Sequence, residues 1–311
     1  FSFSAGTLTV SKAALTVAAE AKSRTYGDAN PTLTATITGY VNSETSSVVG
    51  GTAAVTTTAT TTSNVGDYPI TAALGSLSAT NYSFSFTSAT LTVGKAPLTV
   101  TADAKTKLYG AANPALTATI TGFKNSETIA VLTGTVALST AVTTASGVAS
   151  YAITATLGTL ASGNYSFGFV DGTLAVTKAP LTVTADNTTR AYGAANPTFT
   201  ATITGFVNGE TLATSGVSGT AAVSTTATLT SAAGTYPLSP VVGSLTASNY
   251  AFTTLTNGTL AIGQASQTIT FGALANKTYG AAAFSVAATA SSSLTPSYSI
   301  VSGPATLSGG T

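Results

Sequence analysis

From Leu98 to Lys105 the chain alternates, with Leu98, Val100, Ala102 and Ala104 on one side and Thr99, Thr101, Asp103 and Lys105 on the other. A period of two sends successive side chains to opposite faces of an extended backbone, so this segment reads as a strand with one buried face. Leu116, Ala118 and Ile120 alternate with Thr117, Thr119 and Thr121 in the same way and give a second strand beyond a turn. Next, Asn125-Ser126-Glu127-Thr128 sets a capping residue ahead of Ile129-Ala130-Val131-Leu132, a run too short for more than one helical turn. Further strands are expected on Tyr151-Ala152-Ile153, on Tyr165-Ser166-Phe167-Gly168-Phe169 and on Gly172-Thr173-Leu174-Ala175-Val176, six or so short strands in all.

The pattern repeats. Lys12, Lys95 and Lys178 open near-identical phrases 83 residues apart, and the same interval separates Tyr26, Tyr109 and Tyr192, and Glu44, Glu127 and Glu210. Repetition at this length means an array of small domains. The expected organisation is the final strands of a preceding repeat at 1–11, complete modules at 12–94, 95–177 and 178–263, and the start of a divergent module at 264–311. Phe1, Phe3, Leu8 and Val10 match Phe84, Phe86, Leu91 and Val93, so the chain reads as a window on a longer array. Modules adjoin without a linker: Leu174 and Val176 lead through Thr177-Lys178-Ala179-Pro180 straight to Leu181 and Val183. Proline fixes φ, so stiff junctions and an extended rod are expected.

Composition narrows the fold class to all-β. Charged residues are 6% of the 311 positions, against about 25% in ordinary soluble proteins, and Thr alone supplies about a fifth. Glu, Lys, Arg and Gln, which coat helix surfaces, are scarce, whereas Thr, Val, Tyr and Phe suit a pleated, half-buried surface. Each module therefore reads as a small immunoglobulin-like β-sandwich, or as a β-grasp-like sheet crossed by the short helix near Glu127. A net charge of +1 supplies no field to draw in nucleic acid or an anionic membrane. No apolar run of about 18 residues is present to span a bilayer as a helix. The absence of Cys, Met, Trp and His suits prolonged exposure outside a cell, and it removes Ser-His-Asp, Cys-His and zinc-thiolate chemistry together.

Several motifs recur. Tyr109-Gly110-Ala111-Ala112-Asn113-Pro114 returns as Tyr192-Gly193-Ala194-Ala195-Asn196-Pro197 and, with Asp28 for Ala, as Tyr26-Gly27-Asp28-Ala29-Asn30-Pro31. Gly permits positive φ, Asn bonds its own backbone and Pro holds Asn extended, so each is read as a structural turn, with a row of binding edges as the rival. The fourth copy, Tyr279-Gly280-Ala281-Ala282, lacks Asn and Pro. Tyr68, Tyr151 and Tyr236, each preceded by a Gly, resemble the corner tyrosine of immunoglobulin-like sandwiches. Asn81-Tyr82, Asn164-Tyr165 and Asn249-Tyr250 read as hairpin turns. Carboxylates recur at Glu20/Asp103/Asp186 and Glu44/Glu127/Glu210, and bases at Arg24, Lys107, Arg190 and Lys277, a pattern read as one structural ion pair per module or a solvated face. Asp28, Asp67 and Asp171 occur once each. A calcium loop of the Asp-x-Asp-x-Asp-Gly kind is absent. Asn81, Asn164, Asn187, Asn257 and Asn276 begin Asn-x-Ser/Thr triplets of the kind that accept glycans.

Five phrases occur in order three times: Lys-Ala-Pro-Leu-Thr-Val-Thr-Ala, Lys-x-Tyr-Gly-Ala-Asn-Pro, Thr-Gly-Phe-x-Asn-Ser/Gly-Glu-Thr, Gly-x-Tyr-x-Ile and Asn-Tyr-x-Phe. Over residues 12–263 they resemble the MBG (mostly-β, glycine-rich) repeats of large bacterial surface proteins, in their Tyr-Gly subtype. Residues 264–311, with Ser302-Gly303-Pro304-Ala305-Thr306, resemble a related bacterial immunoglobulin-like repeat. The resemblance implies an extracellular, adhesin-like or matrix protein and carries over no catalytic, cofactor or metal residue. The expected role is a non-catalytic stalk or fibre-forming region whose partners are neighbouring repeats of the same polypeptide. Two rivals stand beside it: modules that bind glycan or a host or matrix protein, and a subunit of a self-assembling extracellular filament.

Overall fold

The structure is a computed structural model that describes residues 1–308. The chain divides into two compact units, Phe1–Thr177 and Lys178–Thr311. In the first unit, seven strands follow Lys12: β1 (Ala13–Ala19), β2 (Lys22–Thr25), β3 (Ala35–Thr38), β4 (Ala54–Thr57), β5 (Gly66–Ala73), β6 (Tyr82–Thr87) and β7 (Ala89–Gly94). Seven more follow Lys95: β8 (Ala96–Ala102), β9 (Lys105–Leu108), β10 (Ala118–Thr121), β11 (Ala137–Ser139), β12 (Ala149–Thr156), β13 (Tyr165–Val170) and β14 (Gly172–Thr177). The second unit repeats them as β15 (Ala179–Ala185), β16 (Thr188–Ala191), β17 (Ala201–Thr204), β18 (Ala222–Ser224), β19 (Gly234–Val241), β20 (Tyr250–Thr256) and β21 (Gly258–Gly263), then adds a hairpin of β22 (Ile269–Phe271) and β23 (Ala288–Ala290).

Each set of seven is a two-layer sandwich, which decides against the β-grasp alternative. The first layer is three-stranded, in order β3-β1-β6, and the second four-stranded, in order β2-β7-β5-β4. Both orders recur as β10-β8-β13 with β9-β14-β12-β11, and as β17-β15-β20 with β16-β21-β19-β18. Sheets are mixed: β1 runs antiparallel to β3 but parallel to β6, and β7 runs antiparallel to β5 but parallel to β2. The expected helical turn is a single 3-10 turn, Ser46–Val48 in the first module and Ile129–Val131 in the second, with none of its residues buried. It crosses no sheet because nothing apolar on it reaches a core.

The alternation has the expected effect. Leu15 and Val17 of β1, Ile70 and Ala72 of β5 and Leu91 and Val93 of β7 are all buried, while Thr36 and Thr38 are exposed. At roughly 25 cal/mol per Å², each fully buried Leu or Ile contributes about 1.5–3 kcal/mol. Two strands escape the periodicity reading. β9 carries Lys-Thr-Lys-Leu, and its buried residue is Lys107, while β11 is a three-residue edge strand.

Two expectations need correction. The Asn-Tyr pairs are not hairpin turns: β5 and β6 lie in different layers, and β6 pairs with β1. Ser, Gly and Asn mark a reversal but not which sheet receives the returning strand. Residues 1–11, expected as strands, are irregular and exposed. Their counterparts Phe84 and Phe86 pair with Leu15 and Val17, partners that residues 1–11 lack. In the region 264–311, residues 309–311 lie outside the described residues.

Candidate functional site: a tyrosine–glutamate joint between modules

The Tyr-Gly turn is clamped by its own module. In the first module, Gly27 at φ +82° lets the chain reverse, and Asp28 N donates to Thr25 O at 3.1 Å. Tyr26 N donates to Gly94 O at 2.8 Å, which pins the turn beside Lys95, the one residue between β7 and β8. Arg24 Nε donates to Asn30 Oδ1 at 2.8 Å and its Nη2 to Thr60 O, while Asn30 Nδ2 donates to Ala59 O at 2.7 Å. Lys107 Nζ does the same work in the second module through Ala111 O and Thr143 O, at 3.0 and 2.6 Å. Arg190 with Asn196 and Thr228 repeats it in the third. The expected pairing of recurring base with recurring acid therefore does not form. The base serves carbonyl and amide oxygens instead, because the turn presents acceptors where β9 and its equivalents deliver a buried or half-buried cation.

The recurring carboxylates are held elsewhere. Glu20 accepts from Thr34 and Thr36 at 2.6 Å each and pairs with Lys22 at 3.1 Å, contacts that draw its pKa down to about 2. Asp103 and Asp186 take threonine hydroxyls on the neighbouring strand in the same way, and both are lowered by those bonds. Glu44, Glu127 and Glu210 accept instead from the tyrosine of each Asn-Tyr pair, Tyr82, Tyr165 and Tyr250.

That second arrangement forms a receiving loop. Asn125 at φ +52° and Ser126 at φ +60° sit at the centre of a tight turn closed by Glu127 N to Lys124 O at 2.9 Å. Two successive positive φ angles mark a primed turn, and Asn208-Gly209, its counterpart in the third module, is the dipeptide that favours one. Tyr165 Oη accepts from Lys124 N at 2.9 Å and donates to Glu127 Oε2 at 2.5 Å, so one buried phenol holds both ends of the loop.

Within the first unit, turn and loop meet. Tyr26 Oη donates to Glu127 Oε1 at 2.6 Å, leaving one carboxylate shared by a phenol from each module. The Tyr26 ring meets Tyr165 edge-on, centroids 5.5 Å apart at 82°, and Phe123 meets Tyr165 at 5.7 Å and 75°. Beside them Lys124 Nζ pairs with Asp28 Oδ1 at 2.9 Å. Asn164 Oδ1 accepts from Val65 N at 3.0 Å, and its Nδ2 donates to Asn64 Oδ1 at 2.9 Å. One apolar cluster runs through the contact, with Tyr26 and Val93 from the first module and Ala96, Leu98 and Tyr165 from the second. Tyr26 is 3% exposed and Tyr165 1%.

These are the electrostatics of a clamp. Burial, and then the bond to Glu127, push the Tyr165 phenol up to about 12, and the Glu127 bond chiefly raises Tyr26. Both phenols are neutral donors at ordinary pH. The Lys124 ammonium holds Asp28 below the usual carboxylate range. Asp28, unique to the first module, and Lys124, unique to the second, are two singletons that the fold brings together. The corner tyrosines are where expected: Tyr68, Tyr151 and Tyr236 donate to the backbone oxygens of Asn64, Gly147 and Ala232, four residues upstream, at 2.9 to 3.0 Å. Of the glycan-type asparagines, Asn164 is engaged in the joint, and Asn187 accepts from Thr259. Among the described residues no three His, Cys, Asp or Glu side chains converge as metal ligands would.

The family described as "MBG domain (YGX type)" matches residues 15–92, 98–175 and 181–261, spans that take in the Tyr-Gly turns at Tyr26, Tyr109 and Tyr192. The chain belongs to the MBG domain family. Its MBG modules are also similar, distantly, to solved adhesion-protein arrays. Drosophila N-cadherin EC1-4 aligns at 9% identity over 83% of this chain and 76% of that one, with a TM-score of 0.26. The N-terminal eight Ig domains of Down Syndrome Cell Adhesion Molecule, isoform 1.30.30, align at 13% identity over 67% of this chain and 33% of that one, with a TM-score of 0.20. Likenesses this weak carry no argument about what the MBG chain does. No curated protein sequence matches it.

Proposed function

We propose that this MBG array is a non-catalytic structural spacer of a large bacterial surface protein, in which the modules at 12–94 and 95–177 are fastened to each other rather than strung on a flexible linker. The Glu127 carboxylate shared between Tyr26 and Tyr165 carries this reading: a half-buried, charge-assisted bond across a module boundary resists both bending and separation. The apolar cluster around it and the single-residue junction at Lys95 support the same reading, as an interdomain contact lacking a large apolar component would leave modules free to move. The chemistry of the residues favours a spacer over an enzyme, because the recurring carboxylates accept from threonine and tyrosine hydroxyls while Arg24, Lys107 and Arg190 donate to backbone and amide oxygens. The family resemblance and a composition poor in oxidisable side chains support an extracellular placement. No helix among the described residues is long and apolar enough to cross a membrane.

Backbone 15N relaxation on the full chain tests the proposal. Modules 12–94 and 95–177 should share one rotational diffusion tensor, and Tyr26→Phe combined with Glu127→Ala should uncouple them. Independent tumbling of the two modules in the unmodified chain would sink the spacer reading. Saturable binding to one structure on a glycan or matrix-protein array would favour the adhesive alternative.

A further inference from the structure

Each layer of a sandwich ends in two strands whose outward N–H and C=O groups have no ladder to join, and such an edge is a template for another strand. In the module at 95–177, three of the four edges are blunted. β9 carries Lys105 and Lys107, β11 is three residues long, and β10 is four, with the Asp103 carboxylate bonded to Thr119 at its side. The fourth edge, β13, has none of these devices. It runs six residues without a charge or a proline, pairs with β8 on one side in unbroken register and, among the described residues, meets no strand on the other. It belongs to the middle of the three complete modules and is open because the layer β10-β8-β13 stops at its third strand. Its counterparts differ: β20 is interrupted by a register shift opposite Leu181 and Thr182, and β6 has Ser85 and Thr87 where β13 has Gly168 and Val170.

The side chains along β13 say what this edge accepts. Phe167 and Phe169 share a face with the buried Tyr165 yet stay half-buried, and Val170 is 48% exposed, whereas Leu98 and Val100, one strand further in, are buried. A strand laid alongside would cover the two rings and take up the outward backbone groups. Neither β13 nor β8 contains a charged residue, so the edge neither attracts a charged partner nor repels its own copy. Antiparallel two-fold pairing centred on Gly168 sets Phe167 of each copy opposite Phe169 of the other, so the same aromatic pair forms twice.

We propose that β13 pairs antiparallel with β13 of a second copy of this chain, joining two three-stranded layers into one of six, in order β10-β8-β13-β13-β8-β10. A bare backbone edge selects a strand, and an uncharged strand whose aromatic pairs are doubled by symmetry selects itself. The contact is isologous, so it closes at a dimer and does not propagate. It goes beyond the spacer reading, since the Tyr26–Glu127 contact fastens modules along one chain and this edge fastens one chain beside another. Independent tumbling of modules 12–94 and 95–177 would overturn the first and leave the second, and a monomeric chain would do the reverse.

Sedimentation velocity of the full chain, over a concentration series reaching about 1 mM, should show monomer and dimer and nothing larger. Gly168→Lys sets two like charges opposite each other at the two-fold and should weaken dimerisation at least about tenfold, as should Gly168→Glu. A Cβ at this position meets only Leu98 O, at 3.8 Å, so both variants should keep the fold, which circular dichroism checks. Mixing the two variants should bring dimers back, because each pair then holds opposite charges. The chain has no cysteine, so Gly168→Cys supplies a single thiol, and mild oxidation should join two copies through it faster than through Thr121→Cys on β10. Dimers undisturbed by Gly168→Lys, no recovery on mixing, equal oxidation of the two cysteine variants or species larger than a dimer would each overturn the proposal. A chain monomeric at every concentration would overturn it too, and leave the edge to an extended segment of a different protein.

Discussion

Tyr26→Phe removes one atom from the joint and little else. The ring still packs edge-on against Tyr165, and Glu127 keeps the Tyr165 hydroxyl, so the lost quantity is the bond from Tyr26 Oη to Glu127 Oε1 at 2.6 Å. A hydrogen bond to a charged group contributes about 1.5–3 kcal/mol when buried. Glu127 is only half-buried, so water partly replaces the lost donor, and about 1–2 kcal/mol is expected. The Val65 amide is a local reporter, since it donates across the joint to Asn164 Oδ1 and is released only when the modules part. Its hydrogen exchange in the full chain should accelerate roughly 5–30-fold in Tyr26→Phe, by the tenfold-per-1.4 kcal/mol relation. Tyr26→Ala also removes a ring that buries about 150–250 Å² and should raise the cost by about 4 kcal/mol. Unchanged Val65 exchange in Tyr26→Phe would refute the claim that this phenol holds the modules together.

Gly193→Ala should cost about 1–2 kcal/mol, the strain of a left-handed residue with open space around it, and Gly27→Ala about 1 kcal/mol or more beyond that, because its Cβ would press on Lys124; equal melting losses by calorimetry would contradict the close approach. Asp28 has its pKa lowered in the fold, so its contribution is complete above the unfolded value of about 3.9 and is lost as pH falls through the folded one; a carboxyl NMR titration should show that midpoint rise in Lys124→Ala. Tyr165, raised to about 12, contributes fully below about pH 10 and loses its contribution as pH climbs from there to 12; absorbance should show it among the last phenols to ionise, and Glu127→Gln should bring its midpoint down. Lys107→Ala should loosen the Tyr109 turn by about 1–3 kcal/mol, since it strands two carbonyls that a buried ammonium now serves, and a change below about 0.5 kcal/mol would assign it to a solvated face.

By itself the amino-acid sequence determined the repeat, the β class and the inward residues, because a period of two is a local property and Leu15, Val17, Leu98 and Val100 had only one face to bury. The corner tyrosines were legible for the same reason, each bonding four residues back along its own chain. What lay beyond reach was every pairing between distant positions. Nothing local says that β6 returns to β1 rather than to β5, since a reversal signalled by Asn and Ser is silent about which layer receives the next strand. Nor do recurring Glu127 and recurring Lys107 disclose that one meets phenols and the other carbonyls, because charge alone suggests that they meet each other. Tyr26 and Glu127 are 101 residues apart, and Asp28 and Lys124 96, so only the folding of two sandwiches on a one-residue junction brings a turn from one against a loop from the next. The tertiary structure decided the joint because its free energy comes from removing both halves from water together, which neither half can do alone.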